Sequence, residues 1–209
     1  MRALPGARVT ATDLNPAMVA AGSARVPGAT WQVADAQQLP QPAACADVVV
    51  CQFGVMFFPD KPAAHAQVRR VLRPGGVLLA SIWDEVAATP FAAALDAALH
   101  EVLPDGPPDF VTAVPHGYHD PDRIRGDAEA GGLRVLAVDH VVLPGRAPSA
   151  AALAEGFCLG TPLRFALEQR GPLDALLPAV AAAMTRHLGD GEVHGDLAAW
   201  VLRAARPTD

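Results

Sequence analysis

The clearest hydrophobic pattern in the chain runs from Asp47 to Asp84. Asp47-Val48-Val49-Val50-Cys51-Gln52 is a short apolar run rich in β-branched residues, which predicts a strand buried on both faces. Gly76 to Trp83 is a second run of the same kind. Between them, Ala63 to Leu72 sets Ala64, Val68, Val71 and Leu72 on one side at helical spacing, with Arg69, Arg70 and Arg73 largely outside that stripe. Arg73-Pro74-Gly75-Gly76 then stops the helix, because proline cannot continue its hydrogen bonding and glycine tolerates the left-handed conformation of a tight return. The prediction is a βαβ unit with two parallel strands.

The same alternation precedes this unit. Arg8 to Thr12 reads as a strand running into Asp13, and Asn15-Pro16 supplies an N-cap and a first-turn proline for a helix to about Ala24. Thr30 to Ala34 is another strand, ending at Asp35, and Ala36 to Ala46 is a loop. After Asp84 the pattern is less regular. A helix is expected from Pro90 to Leu103, an irregular segment from Pro104 to Pro115, and a helix capped by Asp120-Pro121 that ends at Gly131-Gly132. Leu133 to Leu143 reads as a strand. Ser149 to Leu188 reads as two or three helices punctuated by Gly160, Pro162, Gly171, Pro172 and Pro178, and Leu197 to Ala205 as a closing strand, with helix left open by its alanines. The fold class is α/β: a Rossmann-like, mostly parallel sheet with helices on both faces.

Composition narrows the partners. With 209 residues, 51% hydrophobic and 18% charged, the chain suits a packed domain, and its net charge of -6 offers no basic surface for nucleic acid or anionic membrane. No run reaches the length of a membrane span, and the start lacks the apolar core of a secretion signal, so the expected compartment is the cytoplasm. Cys45, Cys51 and Cys158 have no metal-ligand spacing and read as reduced core or loop thiols. Low lysine beside abundant Ala, Arg, Pro and Gly is a composition associated with GC-rich bacterial genomes.

Ligands of open parallel sheets bind beyond the carboxyl ends of the strands, where this reading places Asp13, Asp35, the Gln52-Phe53-Gly54 corner and Trp83. An acid at such a strand end can accept hydrogen bonds from both hydroxyls of a ribose, and a second acid one strand on can meet an adenine edge. Plain capping is the competing role of each acid taken singly. Four blocks together are more specific: Val9 to Met18, Ala34 to Pro40, Asp47 to Phe58, and Arg70 to Gly76. In order and spacing they resemble the class I S-adenosylmethionine-dependent methyltransferases, particularly the small-molecule branch that includes ubiquinone and menaquinone biosynthesis enzymes. The resemblance implies S-adenosyl-L-methionine as cofactor, with Asp13 on the ribose hydroxyls and Leu14 and Met18 beside the adenosine. It implies Asp35 at the adenine amino group, Ala36 and Gln37 lining that end, and the Gln52-Phe53 backbone along the methionyl part. Leu14 and Met18 also allow a core reading.

One departure stands out. The family's first strand and Gly-rich loop should lie immediately before Arg8, between the Val9 and Asp47 strands in the sheet, and no glycine cluster supplies them. The expectation is an N-terminally shortened methyltransferase with exposed apolar strand edges. Homodimerisation is one way to bury those edges.

As a single domain, residues 1–84 form the cofactor half, 85–148 the substrate side and sheet completion, 149–190 a helical lid insertion, and 191–209 the closing strand. Phe157, Leu159, Leu163, Phe165 and Leu167 form either an apolar lid over a small-molecule acceptor or ordinary core. His116-Gly117-Tyr118-His119-Asp120 lacks a third matched ligand, so no metal is assigned and its histidines read as surface residues, with an acceptor-side role as the alternative. His65, His100, His187 and His194 read as solvated. No catalytic residue is named, because in-line placement alone can supply much of the barrier lowering. Two other functions stay open: a nicotinamide-dependent oxidoreductase, and a non-catalytic remnant or binding module of the same fold.

Overall fold

A computed structural model describes residues 6–208. β1 (Thr10–Asp13), α1 (Pro16–Arg25) and β2 (Thr30–Val33) form a small parallel unit in which Thr10 pairs with Thr30 and Asp13 with Val33. Asn15 starts α1 as its sequence predicts, its side-chain oxygen accepting from the Ala17 N–H at 2.9 Å. The Trp31 ring lies over Gly22, where a Cβ would stand 2.2 Å from the ring, so this glycine is what lets helix and strand close up.

β3 (Ala46–Gln52), α2 (Lys61–Val71) and β4 (Leu72–Trp83) make the expected βαβ unit. The helix begins two residues earlier than the apolar stripe indicates, because Asp60 caps it through the Ala63 N–H and Pro62 fits its first turn. Ala64, Val68, Val71 and Leu72 are all buried as their spacing predicts. β4 is longer than its apolar run, and the extra length is a bulge: Ala46 pairs with Leu72 and Val48 with Val77, so Asp47 alone faces Arg73 to Gly76. Gly75 takes φ +75° there, and a Cβ on Gly76 would stand 2.9 Å from the Arg73 carbonyl oxygen.

The second half departs further from the prediction. α3 (Pro90–Val102) is followed by a short helix, α4 (Phe110–Ala113), inside the segment expected to be irregular. α5 (Pro121–Ala130) has the Asp120 cap, and β5 (Arg134–Ala147) runs four residues past the predicted end. α6 (Ala150–Gly160), α7 (Leu163–Glu168) and α8 (Leu173–Leu188) form the insertion, with Pro178 inside α8 and not ending it. β6 (Val193–Ala205) is a strand and not a helix, and begins four residues before Leu197. It pairs antiparallel with β4 on one side and β5 on the other.

The sheet is not continuous. β1 and β2 form a two-stranded sheet, while β3-β4-β6-β5 form a four-stranded one. Among the described residues no strand lies on the free edge of β1 or the outer edge of β3. The prediction that β3 is buried on both faces is therefore corrected: Val49 and Cys51 are half-buried, but Val48 and Val50 are 52% and 67% exposed. α2 and α5 pack on the face that carries Leu78, Ile82 and Leu202, and among the described residues no element covers the Val50 side.

Two apolar cores result. One lies under α2 and α5 and includes Leu72, Leu78, Ile82, Ile124, Leu133 and Leu202. The other joins α3 to α6, α7 and α8 through Leu95, Leu99, Leu163, Leu167 and Met184. Leu163 and Leu167 are thus core, Phe157 packs against that core, and Leu159 and Phe165 are exposed. Glu101 ties α3 to α8 by accepting from Arg186 and His187, each at 2.6 Å.

His65, expected to be solvated, is 2% exposed, its Nε2 has no partner among the described residues, and burial pushes its pKa down to about 4. Gly131 makes the space: a Cβ there would stand 2.4 Å from that of His65. Between its ordinary value of 6.5 and about 4, the unfolded chain takes up a proton that the folded chain refuses. The protonation-linked cost of His65 is therefore absent above pH 6.5, and stability falls by about 3 kcal/mol as pH drops through that window. His65→Leu removes that part of the acid sensitivity, which urea unfolding of both proteins at about pH 7 and about pH 4.5 measures. Gly131→Ala forces the His65 side of α2 outward and destabilises by about 1–3 kcal/mol in the same assay.

Candidate functional site

The carboxyl ends of β1, β2 and β3 bring together most of the residues singled out in the sequence. Asp13 ends β1, and its backbone carbonyl accepts from the Ala34 N–H at 3.0 Å, which sets the start of the 34–37 loop beside it. The Asp13 Oδ1 accepts from the Asn15 N–H at 2.8 Å, so the expected capping role is real. It occupies one oxygen only, and among the described residues Oδ2 has no partner. Leu14, in the bend after β1, and Met18, on α1, are 70% and 56% exposed, which removes the core reading of both.

Asp35 repeats the arrangement one strand further on. Its Oδ1 accepts from the Gln37 backbone at 2.8 Å, leaving Oδ2 without a protein partner among the described residues. The Gln37 Oε1 accepts from the Asp60 N–H at 3.0 Å, fastening the loop after β2 to the start of α2. Ala36 lies between the two. The Arg70 guanidinium adds two bonds across the same divide, to the Leu39 carbonyl at 2.6 Å and the Gln41 carbonyl at 2.7 Å.

At the end of β3, Gln52 pairs with Ser81, and Phe53 adopts φ +52°, a left-handed conformation costly for a side chain of its size. The Phe53 N–H donates to the Ser81 carbonyl at 3.0 Å, and its ring stacks on Trp83 with centroids 3.8 Å apart. The bent backbone thus turns the Phe53 ring onto the neighbouring strand's last aromatic.

Next to this stack lies a polar cluster that sequence reasoning missed. Asp84 Oδ1 accepts from the Glu85 N–H at 2.8 Å and from Trp200 Nε1 at 3.1 Å, while Oδ2 is 2.8 Å from His140 Nε2. Burial pushes the Asp84 carboxyl up, but the bonds from Glu85, His140 and Trp200 outweigh it and hold the pKa below the ordinary value. His116, expected at the surface, is 7% exposed: its Nδ1 bonds the Asp84 carbonyl at 2.6 Å and its ring faces Trp83 at 6.1 Å. His119 Nδ1 in turn bonds the His116 carbonyl at 2.7 Å. Only the His116–Asp120 motif hinted at this cluster. Partners 56 and 116 residues away in the chain leave no local pattern.

Among the described residues, no group of three His, Cys, Asp or Glu side chains is gathered for a metal, and no helix is long and apolar enough to cross a membrane. The three cysteines are free, and burial pushes Cys158 up to about 11.

Residues 1–80 match the family described as methyltransferase domain. The chain is 41% identical over 102 residues to a ubiquinone/menaquinone biosynthesis C-methyltransferase of Caulobacter vibrioides, a match covering 48% of this chain and 40% of that one. A protein with the same description from Bordetella parapertussis is 36% identical over 167 residues, covering 76% and 64%. A malonyl-[acyl-carrier protein] O-methyltransferase of Serratia marcescens is 41% identical over 76 residues, covering 36% and 30%. The chain thus spans 40% of the length of the Caulobacter relative and 64% of the Bordetella one. Among solved structures, a Bacillus halodurans chain assigned as a methyltransferase superposes with a TM-score of 0.58 at 16% identity, covering 97% of this chain and 84% of that one. The [4+2]-cyclase SpnF superposes with a TM-score of 0.57 at 18% identity, covering 97% and 68%. At such identities these likenesses establish the α/β Rossmann-like fold and leave the reaction to the site.

Removing the Asp84 carboxylate leaves the Trp200 and His140 donors without their acceptor. Asp84→Ala is expected to destabilise the chain by about 2 kcal/mol at neutral pH. Because its folded pKa is lowered, the Asp84 contribution is present above pH 3.8 and is lost as pH falls through the folded value. Urea unfolding at neutral pH and at about pH 3 measures both, and the gap between variant and wild type narrows at the lower pH.

Proposed function

We propose that this chain, whose residues 1–80 match the methyltransferase domain family, is a class I S-adenosylmethionine-dependent methyltransferase and takes part in methyl transfer from S-adenosyl-L-methionine to a small-molecule acceptor. Asp13 holds the ribose hydroxyls, Leu14 and Met18 cover the adenosine, and Asp35 with Ala36 and Gln37 receives the adenine edge. The Gln52-Phe53 backbone follows the methionyl part. When bound, the cofactor supplies an electrophilic methyl group on a sulfonium. The chain's own part is to hold and orient it and to keep water from the acceptor.

One observation carries this reading. Two outward-facing apolar side chains, Leu14 and Met18, stand beside a carboxylate with one oxygen unengaged, at the carboxyl end of a parallel strand. An exposed apolar pair is costly unless something covers it, and an adenosine presents both an apolar face for that pair and paired hydroxyls for the acid. The spare Asp35 oxygen suits an exocyclic amine in the same way. The relatives named for ubiquinone/menaquinone biosynthesis support a small-molecule acceptor.

Calorimetric titration with S-adenosylhomocysteine tests the assignment. Wild type binds, NAD does not compete, and Asp13→Ala weakens binding by about 10- to 100-fold, as loss of hydrogen bonds to a charged group predicts. Binding that Asp13→Ala leaves unchanged, or displacement by NAD, would sink it.

A further inference from the structure

His116 has the features of a base and lies where an acceptor is to be expected if the methyl-transfer reading above is right. It stands one ring beyond Trp83, which stacks on Phe53 at the end of β3. Its Nδ1 is committed as donor to the Asp84 backbone carbonyl, which fixes the neutral tautomer with the lone pair on Nε2. Nε2 has no hydrogen-bond partner among the described residues, yet it is not sealed from solvent in the way that His65 Nε2 is. A histidine held in one tautomer by a backbone carbonyl, with its other nitrogen free in a nearly dry setting, is arranged to receive a proton.

The charges around it suit the same task. Burial keeps the ring neutral at rest, and His119 on the same loop opposes its protonation. Asp84 at the end of β4 and Asp96 on α3 favour the charged form. Asp96 Oδ1 is itself sealed from solvent with no partner among the described residues. A resting base that is neutral, with two carboxylates ready to stabilise the imidazolium, meets both requirements of general base catalysis. His140 does not. Its Nε2 is spent on Asp84 Oδ2, and its ring lies against Trp200.

We propose that His116 Nε2 is the general base that removes a hydroxyl proton from the acceptor. The acceptor's O–H bond breaks with its electron pair left on oxygen, and the proton passes to Nε2. The resulting anion takes the methyl carbon at oxygen or at a conjugated carbon, and the C–S electron pair stays on the donor's sulfur as a thioether. On carbon, the displaced hydrogen then leaves as a proton and the hydroxyl re-forms. His116 returns its proton to water. An imidazole is strong enough for phenolic and enolic hydroxyls and too weak for aliphatic ones, while neutral amines need no base before transfer. The acceptor class is therefore an acidic hydroxyl.

The test uses the 209-residue chain and 4-nitrophenol, an acidic hydroxyl whose anion alone is yellow. Below the free probe's own midpoint, the chain is expected to raise the yellow fraction. His116→Asn keeps an N–H toward the Asp84 carbonyl but removes Nε2, and is expected to reduce the response about tenfold or more; His140→Gln keeps it. In wild type, 15N spectra of the histidine rings should show the probe shifting the His116 Nε2 resonance. A yellow response that survives His116→Asn, one lost only in His140→Gln, or an unmoved Nε2 resonance overturns the assignment. S-adenosylhomocysteine binding is measured on the same samples. Its absence beside an intact probe response removes the methyl-donor reading and leaves the base standing. Its presence beside a response indifferent to His116 removes this inference alone.

Discussion

The strand on which the rest depends is β6. It is the last strand in sequence and an interior one in space, running antiparallel between β4 and β5. Without it the βαβ unit and the β5 strand would share no backbone hydrogen bond. Its influence extends one residue past its end. The Arg206 N–H donates to the Gly76 carbonyl, its carbonyl accepts from the Gly75 N–H, and its guanidinium reaches the carbonyls of Arg69, Arg70 and Leu72. Together with the Ala44 and Cys45 N–H groups, which donate to the Arg70 and Val71 carbonyls, this arginine satisfies the carbonyls at the end of α2 and pins the turn that returns the chain into β4.

At its other end β6 supports the polar side of the site. Trp200 and its register partner His140 converge on Asp84, which is the first residue beyond β4 and whose N–H donates to the Ala198 carbonyl. The Asp84 carboxylate holds β5 and β6 through His140 and Trp200, while its backbone carbonyl holds His116. Position is thus transmitted from the antiparallel half of the sheet to the ring beside Trp83 through a single residue, by charge-assisted bonds in a half-dry setting.

What the sequence disclosed follows from the range of the interactions involved. The caps at Asn15 and Asp120 act within two residues, and the stripe of Ala64, Val68 and Val71 within one helix face, so local pattern was enough there, whereas the Asp60 cap that starts α2 two residues earlier was not read. Exposure at Leu14 and Met18 was not legible, since an apolar side chain looks the same in a core as at a binding face. His65 was misread because its burial depends on Gly131, on another helix's end. The bulge at Asp47 lengthened β4 beyond its apolar run, and Pro178 failed to break α8 because tertiary packing of Val180, Ala183 and Met184 outweighs one lost bond. Asp84 was read as the end of a strand; its partners lie too far along the chain for spacing to reveal.

The divided sheet has a mechanical meaning. Everywhere else neighbouring strands are laced by a ladder of backbone bonds, but β1–β2 and β3–β4 are joined by Gln37 to Asp60 and by Arg70 to the Leu39 and Gln41 carbonyls. Such a seam is far more compliant in shear than a ladder. A ligand gripped by Asp13 on one plate and by the Phe53 backbone on the other would act as a rivet, stiffening the molecule along its weakest line. Tightness of binding and rigidity of the chain would then rise and fall together.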